Sequence, residues 1–264
     1  MHYEHLRYEV EDGVATVTFD RAGKKNALTY DSYREFEALT RGLAHDRDVK
    51  VLLVRGAGGD FCAGGDVHTI IGDLLPKDAH DHYRFTQMTG ACVRNLREMP
   101  QPAIAAIEGL AVGAGAVIAL ACDLRIVATD ARFGFVFTKV GLTGADMGAA
   151  YLLPRIVGLG RASELLLFGD LVDAERAERI GLANRVVPSE RLYGEAEQWA
   201  RRLAEGPHLA QETTKRMLQR ELDQDFASAL ETETLGQALL LMGQDHRAFY
   251  EAWCAKRAPQ WTGR

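Results

Sequence analysis

Two short runs in this 264-residue chain, Val51-Leu52-Leu53-Val54 and Ala103-Ile104-Ala105-Ala106-Ile107, show no alternation of polar and apolar residues, and Leu124-Arg125-Ile126-Val127 departs from that only at its arginine. A strand that is apolar on both faces must be covered on both faces, which in a single chain means a parallel sheet with helices packed above and below. The first run leads into Arg55-Gly56-Ala57-Gly58-Gly59, expected to be a mobile glycine-rich loop. Between the second and third runs lies Gly113-Ala114-Gly115-Ala116-Val117-Ile118-Ala119-Leu120-Ala121, whose small apolar residues suit a helix buried between layers. Strand, glycine turn, helix, strand is a β-α-β unit, so the pattern predicts an α/β fold with repeated crossovers.

Around this centre the periodicity changes twice. Residues 3–10 and 14–19 are β-rich and flank Glu11-Asp12-Gly13, a turn sequence that predicts a strand pair. Residues 30–44 carry Tyr33, Phe36, Leu39 and Leu43 at helical spacing, with a start signal at residues 29–31. From about Asp173 the chain becomes Ala-rich and charge-studded, predicting helices over residues 174–180, 190–203, 208–222, 226–242 and 245–255. Asn184-Arg185-Val186-Val187 is the single β-run there. Gly206-Pro207 divides the expected α/β core, residues 1–205, from a helical C-terminal region, residues 206–264.

Hydrophobic residues make up 47% of the chain, enough for a sizeable core without disulfides or metals. A net charge of −6 argues against nucleic acid as a general partner. Cys62, Cys92, Cys122 and Cys254 form no C-x-x-C pair, and the eight histidines lack ligand spacing, so no metal site is expected. Scattered thiols, a polar start at Met1-His2-Tyr3-Glu4-His5 and the lack of an apolar run near ~18 residues predict a cytoplasmic protein without a membrane partner.

The chemistry is carried by two turns. Asp60-Phe61-Cys62-Ala63-Gly64-Gly65-Asp66-Val67 follows the first apolar strand and its loop, and Ile107-Glu108-Gly109-Leu110-Ala111-Val112-Gly113-Ala114-Gly115 closes the second and opens the small-residue helix. Small residues let the backbone approach a ligand and leave N–H groups aimed outward, as an oxyanion hole requires. Neither turn has the Gly-Lys-Ser/Thr ending of a phosphate loop. With Lys25-Asn26-Ala27-Leu28, Cys122-Asp123-Leu124-Arg125-Ile126, Leu153-Pro154-Arg155-Ile156-Val157-Gly158, Ala177-Glu178-Arg179-Ile180-Gly181-Leu182 and Trp253 with Lys256-Arg257, these turns make the chain resemble the crotonase, or enoyl-CoA hydratase/isomerase, superfamily over essentially its whole length.

That resemblance implies a crotonase-like core of repeated β-β-α units, a helical C-terminal region that assembles a homotrimer or a hexamer (a dimer of trimers), and an acyl-CoA substrate that brings its own coenzyme, with no separate cofactor. It implies oxyanion donors at the backbone N–H groups of Gly65 and Ala114. It also implies CoA contacts from Lys25, Ala27, Ala63, Trp253 and Lys256. The two glutamates used by hydratases fall on Val117 and Phe137, which cannot transfer a proton. Asp146 is the one carboxylate in the loop 141–148 that faces the acyl group in relatives, as a proton-transfer group, as the N-cap of the following helix or as a substrate-binding group. Glu108 is expected to be structural, and His68, His80 and His82 to be surface residues of a variable stretch. An acyl-CoA enzyme with a reaction other than simple hydration is the leading expectation, and a non-catalytic acyl-CoA-binding protein the alternative.

Overall fold

The computed structural model describes residues 3–264, so the Met1-His2 part of the polar start lies outside the described residues. The N-terminal hairpin pairs β1 (Leu6–Glu11) with β2 (Val14–Phe19) in antiparallel register, Glu11 opposite Val14 across the two-residue turn Asp12-Gly13. Thr29 starts α1 (Tyr30–Leu43) with a reciprocal cap, its side chain accepting from the Ser32 N–H while Ser32 accepts from the Thr29 N–H. Then come β3 (Val51–Gly56), a π-turn at Val67–Ile71, the single turn α2 (Gly72–Leu74), α3 (Ala79–Glu98), β4 (Ala103–Ile107), β5 (Leu110–Val112), α4 (Ala114–Ala121), β6 (Leu124–Ala128) and β7 (Arg132–Gly134). A 3-10 turn at Val136–Val140 leads to α5 (Ala149–Val157), α6 (Leu159–Phe168), β8 (Val172–Asp173), α7 (Ala174–Arg179), β9 (Arg185–Val187) and α8 (Leu192–Ala204). The chain ends in α9 (His208–Arg220), α10 (Phe226–Leu241) and α11 (Gln244–Cys254).

Six strands form one sheet in the order β1-β2-β3-β4-β6-β9, all parallel from β2 onward. Its two faces explain the unbroken apolar runs. Val51, Leu53, Ile104, Ala106 and Ile126 pack toward Leu192, Ala196 and Ala200 of α8, whereas Leu52, Val54, Ala105, Ile107 and Val127 face the main core with α1, α3 and α4. Arg125, the polar exception, is buried because its Nε donates to the Leu182 carbonyl at 2.7 Å and its Nη1 to the Cys122 carbonyl at 2.7 Å. All eight residues of α4 are buried, as its small-residue sequence predicts.

The structure differs from the sequence expectations in three places. A second sheet, β5-β7-β8, was not foreseen, because three- and two-residue strands are too short to show a period. β4 and β6 join the large sheet, and the strands that follow them, β5 and β7, join the small one. The stretch expected to be merely variable contains the 20-residue helix α3, whose polar, His- and Arg-rich outer face conceals a narrow apolar stripe at Cys92, Val93 and Leu96. Arg55 and Gly56, expected in a loop, complete β3 instead, pairing with Thr18 and Phe19.

The C-terminal helices are fastened to the core by a cation. Lys215 of α9 is buried, donates to the carbonyls of Leu96 (3.0 Å) and Gln101 (2.8 Å), and pairs with Asp123 at 2.8 Å. Removing one partner of such a pair leaves the other uncompensated. Lys215→Ala is expected to destabilise the fold by about 3 kcal/mol in denaturant unfolding, and a loss below ~1 kcal/mol would show that packing alone holds α9 in place.

Candidate active site

The two glycine turns are zipped together by backbone bonds. The Phe61 N–H donates to the Glu108 carbonyl (2.8 Å), the Cys62 N–H to Leu110 (2.8 Å), and the Val112 N–H to the Cys62 carbonyl (2.9 Å). The Asp60 carboxylate accepts from the Leu110 N–H at 2.8 Å. Glycine is required where α4 enters, because a Cβ on Gly115 would lie 2.3 Å from the Cys62 carbonyl oxygen. A Cβ on Gly64 would lie 3.5 Å from the Ala114 nitrogen, so the two turns are in direct contact. Among the described residues, neither the Gly65 N–H nor the Ala114 N–H is donated to a protein acceptor. Ala114 opens α4 with no side-chain cap, so the positive end of that helix is left uncapped beside Gly64.

A third segment completes the cleft. The Ala63 N–H donates to the Lys25 carbonyl (3.0 Å), the Leu28 N–H to Gly64 (2.7 Å) and the Asp66 N–H to Leu28 (2.8 Å). Residues 25–28 thus run beside 63–66. Asn26 makes this possible by taking a left-handed conformation, which asparagine tolerates better than most residues. Its buried amide donates to the Ala57 and Asp60 carbonyls, and its oxygen accepts from the Arg21 N–H. Arg21 also donates to the Ala27 carbonyl and pairs with Asp66 at 3.3 Å. Asp66 in turn accepts from the His68 and Thr69 N–H groups and so fixes the π-turn. These bonds, that of Thr69 foremost, hold the Asp66 carboxyl below its ordinary value against desolvation.

The result is a cleft of about 470 Å³ lined by Arg21, Lys24, Ala27, Ala63, Gly65 and the first residues of the π-turn. It brings together Ala27, Ala63 and Gly65 as the sequence predicts. Lys25 supplies its backbone carbonyl and is not among the lining residues, whereas its neighbour Lys24 is. Trp253 and Lys256 lie at the end of α11, away from the lining of this cleft, with the Trp253 ring exposed against Phe249. Arg21 and Asn26 escaped sequence reasoning because they shape the backbone; the signal was an asparagine sitting at a turn.

Val117 and Phe137 are buried in the main apolar core. Asp146 is not the cap of α5: that helix starts at Ala149, its N-cap is Gly148, and no side chain caps it. The capping role is therefore corrected, the cause being two successive positive-φ residues, Met147 and Gly148, which set the helix start later than the sequence suggests. Asp146 is half-buried, with Oδ1 accepting from the Met147 N–H at 2.8 Å, and burial raises its pKa above the ordinary carboxylate value. Cys62, at the heart of the zipped turns, is pushed up to about 12 by burial and is a thiol at neutral pH. Glu108 is structural, its carboxylate accepting from the Tyr193 hydroxyl. His80 and His82 are exposed on the first turn of α3, while His68 lines the cleft from the π-turn. No three His, Cys, Asp or Glu among the described residues gather as metal ligands, and no helix there is long and apolar enough to cross a membrane.

Residues 9–264 match the family model described as enoyl-CoA hydratase/isomerase. The 1,2-epoxyphenylacetyl-CoA isomerase of Escherichia coli (strain K12) is 33% identical over 261 residues, 99% of each chain. The crotonyl-CoA hydratase of Syntrophomonas wolfei subsp. wolfei is 32% identical over 258 residues, 97% of each chain. A crystal structure from Streptomyces coelicolor A3(2), provisionally named an enoyl-CoA hydratase, matches with a TM-score of 0.98 and 50% identity, covering 100% of this chain and 96% of its own.

The lowered Asp66 carboxyl makes the cleft sensitive to acid. A depressed acid contributes its stabilisation fully above the ordinary carboxylate range, and loses it as pH falls through the lowered value. The stability advantage of the wild type over Asp66→Asn is expected to be present at pH 7 and to shrink steadily below about pH 4 in unfolding titrations. A difference that is flat from pH 7 to 3 would remove the charge from the account.

Proposed function

The chain belongs to the enoyl-CoA hydratase/isomerase family and is an acyl-CoA enzyme of that family, and we propose that it works by holding a thioester enolate between the N–H groups of Gly65 and Ala114. The observation that supports this reading is that Gly65 and Ala114, on two turns in contact at Gly64, each keep an N–H with no protein acceptor among the described residues. As an acyl-CoA enolises, negative charge collects on the thioester oxygen. A preorganised donor aimed at that oxygen is commonly worth about 3 kcal/mol of transition-state stabilisation. The positive end of α4 adds to it. Coenzyme A arrives as part of the substrate, its adenine and pantetheine running past Ala63 and Ala27, with Lys25 and the neighbouring Lys24 on the phosphates. No other cofactor takes part in this scheme.

The acid-base chemistry falls to Asp146. Val117 and Phe137 occupy the positions of the hydratase glutamates, and hydrocarbon cannot move protons. Asp146 has no capping duty, and its carboxyl is shifted upward by burial, the direction that suits a group exchanging protons near neutrality. The reaction is therefore an enolate chemistry other than glutamate-pair hydration. Among the relatives, both an isomerase and hydratases are named.

In this reading the CoA site is completed by a neighbouring copy. Helix α10 has no buried residue, and it leaves Phe226, Leu230, Leu235, Leu239 and Leu241 in solvent. So much exposed apolar surface fits the trimer, or the hexamer built from two trimers, in which a neighbour's Trp253 and Lys256 reach the CoA. Light scattering is expected to give three or six times the chain mass, and a monomer at micromolar concentration would refute the assembly.

The central test is turnover of enoyl-, 3-oxoacyl- and aryl-CoA thioesters by wild type and Asp146→Asn. Crotonyl-CoA hydration is expected to be absent or very slow, and the reaction that does proceed to fall at least ~10²-fold in the variant with little change in Tm. Robust hydration of crotonyl-CoA, or an active Asn variant, would sink the assignment. Tight binding without turnover of any thioester would favour the non-catalytic acyl-CoA-binding alternative.

A further inference from the structure

Tyr33 reads in the sequence as one more core residue on the apolar face of α1, between Thr29 and Phe36. Its ring behaves that way: it is 3% exposed and meets Phe85 edge-on, with centroids 5.9 Å apart. Its hydroxyl does not. Among the described residues no hydrogen bond is made by that oxygen, which lies 3.7 Å from where a Cβ on Gly65 would stand. The residue is buried but this oxygen is open at its tip, so it is left to whatever occupies the space beside Gly65, water or a ligand. A phenol left single beside a backbone N–H that is also single marks a place where both partners come from a ligand.

The surroundings say what the phenol can do. Ile70, 3.9 Å from the same Gly65 Cβ position, makes the adjoining wall apolar. Burial, together with the negative fields of Cys62, Cys92 and Asp146, raises the Tyr33 pKa well above its ordinary value, so the group stays a neutral donor at physiological pH. A thioester oxygen held at the Gly65 N–H puts the first acyl carbons within an atom or two of this hydroxyl, beside the apolar Ile70.

We propose that the Tyr33 hydroxyl is the specificity-determining donor of the acyl pocket, binding an oxygen carried on the acyl chain close to the thioester, so that the substrates are oxygenated acyl-CoA thioesters (hydroxy-, oxo- or epoxyacyl) rather than plain hydrocarbon ones. This rests on the acyl-CoA reading above. A site built around a buried donor rejects the analogue that lacks the acceptor far more strongly than it rejects a small change in chain length.

The test compares 3-hydroxybutyryl-CoA with butyryl-CoA, alike in chain length and differing by one oxygen, by calorimetric binding to wild type and Tyr33→Phe. Phenylalanine keeps the ring contact with Phe85 and removes an atom without a partner in the fold, so Tm should hold or rise. Wild type is expected to bind the hydroxyacyl thioester at least ~10-fold more tightly, and the variant to lose that preference while binding butyryl-CoA as before. Equal affinities in the wild type, or a variant that weakens both thioesters alike, would overturn the role of Tyr33 while leaving the acyl-CoA reading intact. Failure of the wild type to bind either thioester would instead bring down that reading, and this proposal with it.

Discussion

The parallel zip between residues 61–62 and 108–112 is the contact on which this architecture depends. It is made of ordinary backbone bonds, yet it joins segments almost fifty residues apart and leaves no room for side chains at the crossing. A Cβ on Gly115 would strike the Cys62 carbonyl, and one on Gly109 would come within 2.1 Å of the Gly59 carbonyl. The turns can approach only because glycine stands at these crossings, and the approach brings Gly64 against Ala114. Close packing turns a fold requirement into a chemical one.

The crossing is consequently built from backbone, with the Arg21–Asp66 pair bracing the cleft beside it. The sheet supplies the platform, α4 its positive end, and the segment 25–28 the third wall. Where relatives are expected to carry glutamates, this chain packs Val117 and Phe137 into its core. Three ionisable groups nearby are biased toward their neutral forms by burial, Cys62 as a thiol, Tyr33 as a phenol and Asp146 with a raised pKa, whereas Asp66 is held charged by its hydrogen bonds. Burial in a low-dielectric environment favours these neutral forms.

The C-terminal helices follow a different logic. Lys215 anchors α9 through one buried cation and two carbonyls, whereas α10 has no buried residue at all. One helix is completed by its own chain, and the next offers its apolar surface outward.

Long periodic signals were legible in the sequence because they record burial directly. The unbroken runs at 51–54 and 103–107 announced strands covered on both sides, α4 announced itself by small residues alone, and the five C-terminal helices fall within a residue or two of their expected bounds. The motifs likewise identified Gly65, Ala27 and Ala63 as neighbours in one cleft. What the sequence could not carry is direction. Two-residue strands leave no period, so the second sheet was invisible, and Asp146 could be a cap or a free carboxylate until Met147 and Gly148 were seen to turn with positive φ and start α5 beyond it. Tyr33 at helical spacing is indistinguishable from any core aromatic; only the tertiary structure decided that its ring faces the core and its hydroxyl faces Gly65, because a single side chain can satisfy hydrophobic periodicity with one end while its polar end is placed by a neighbour more than thirty residues away.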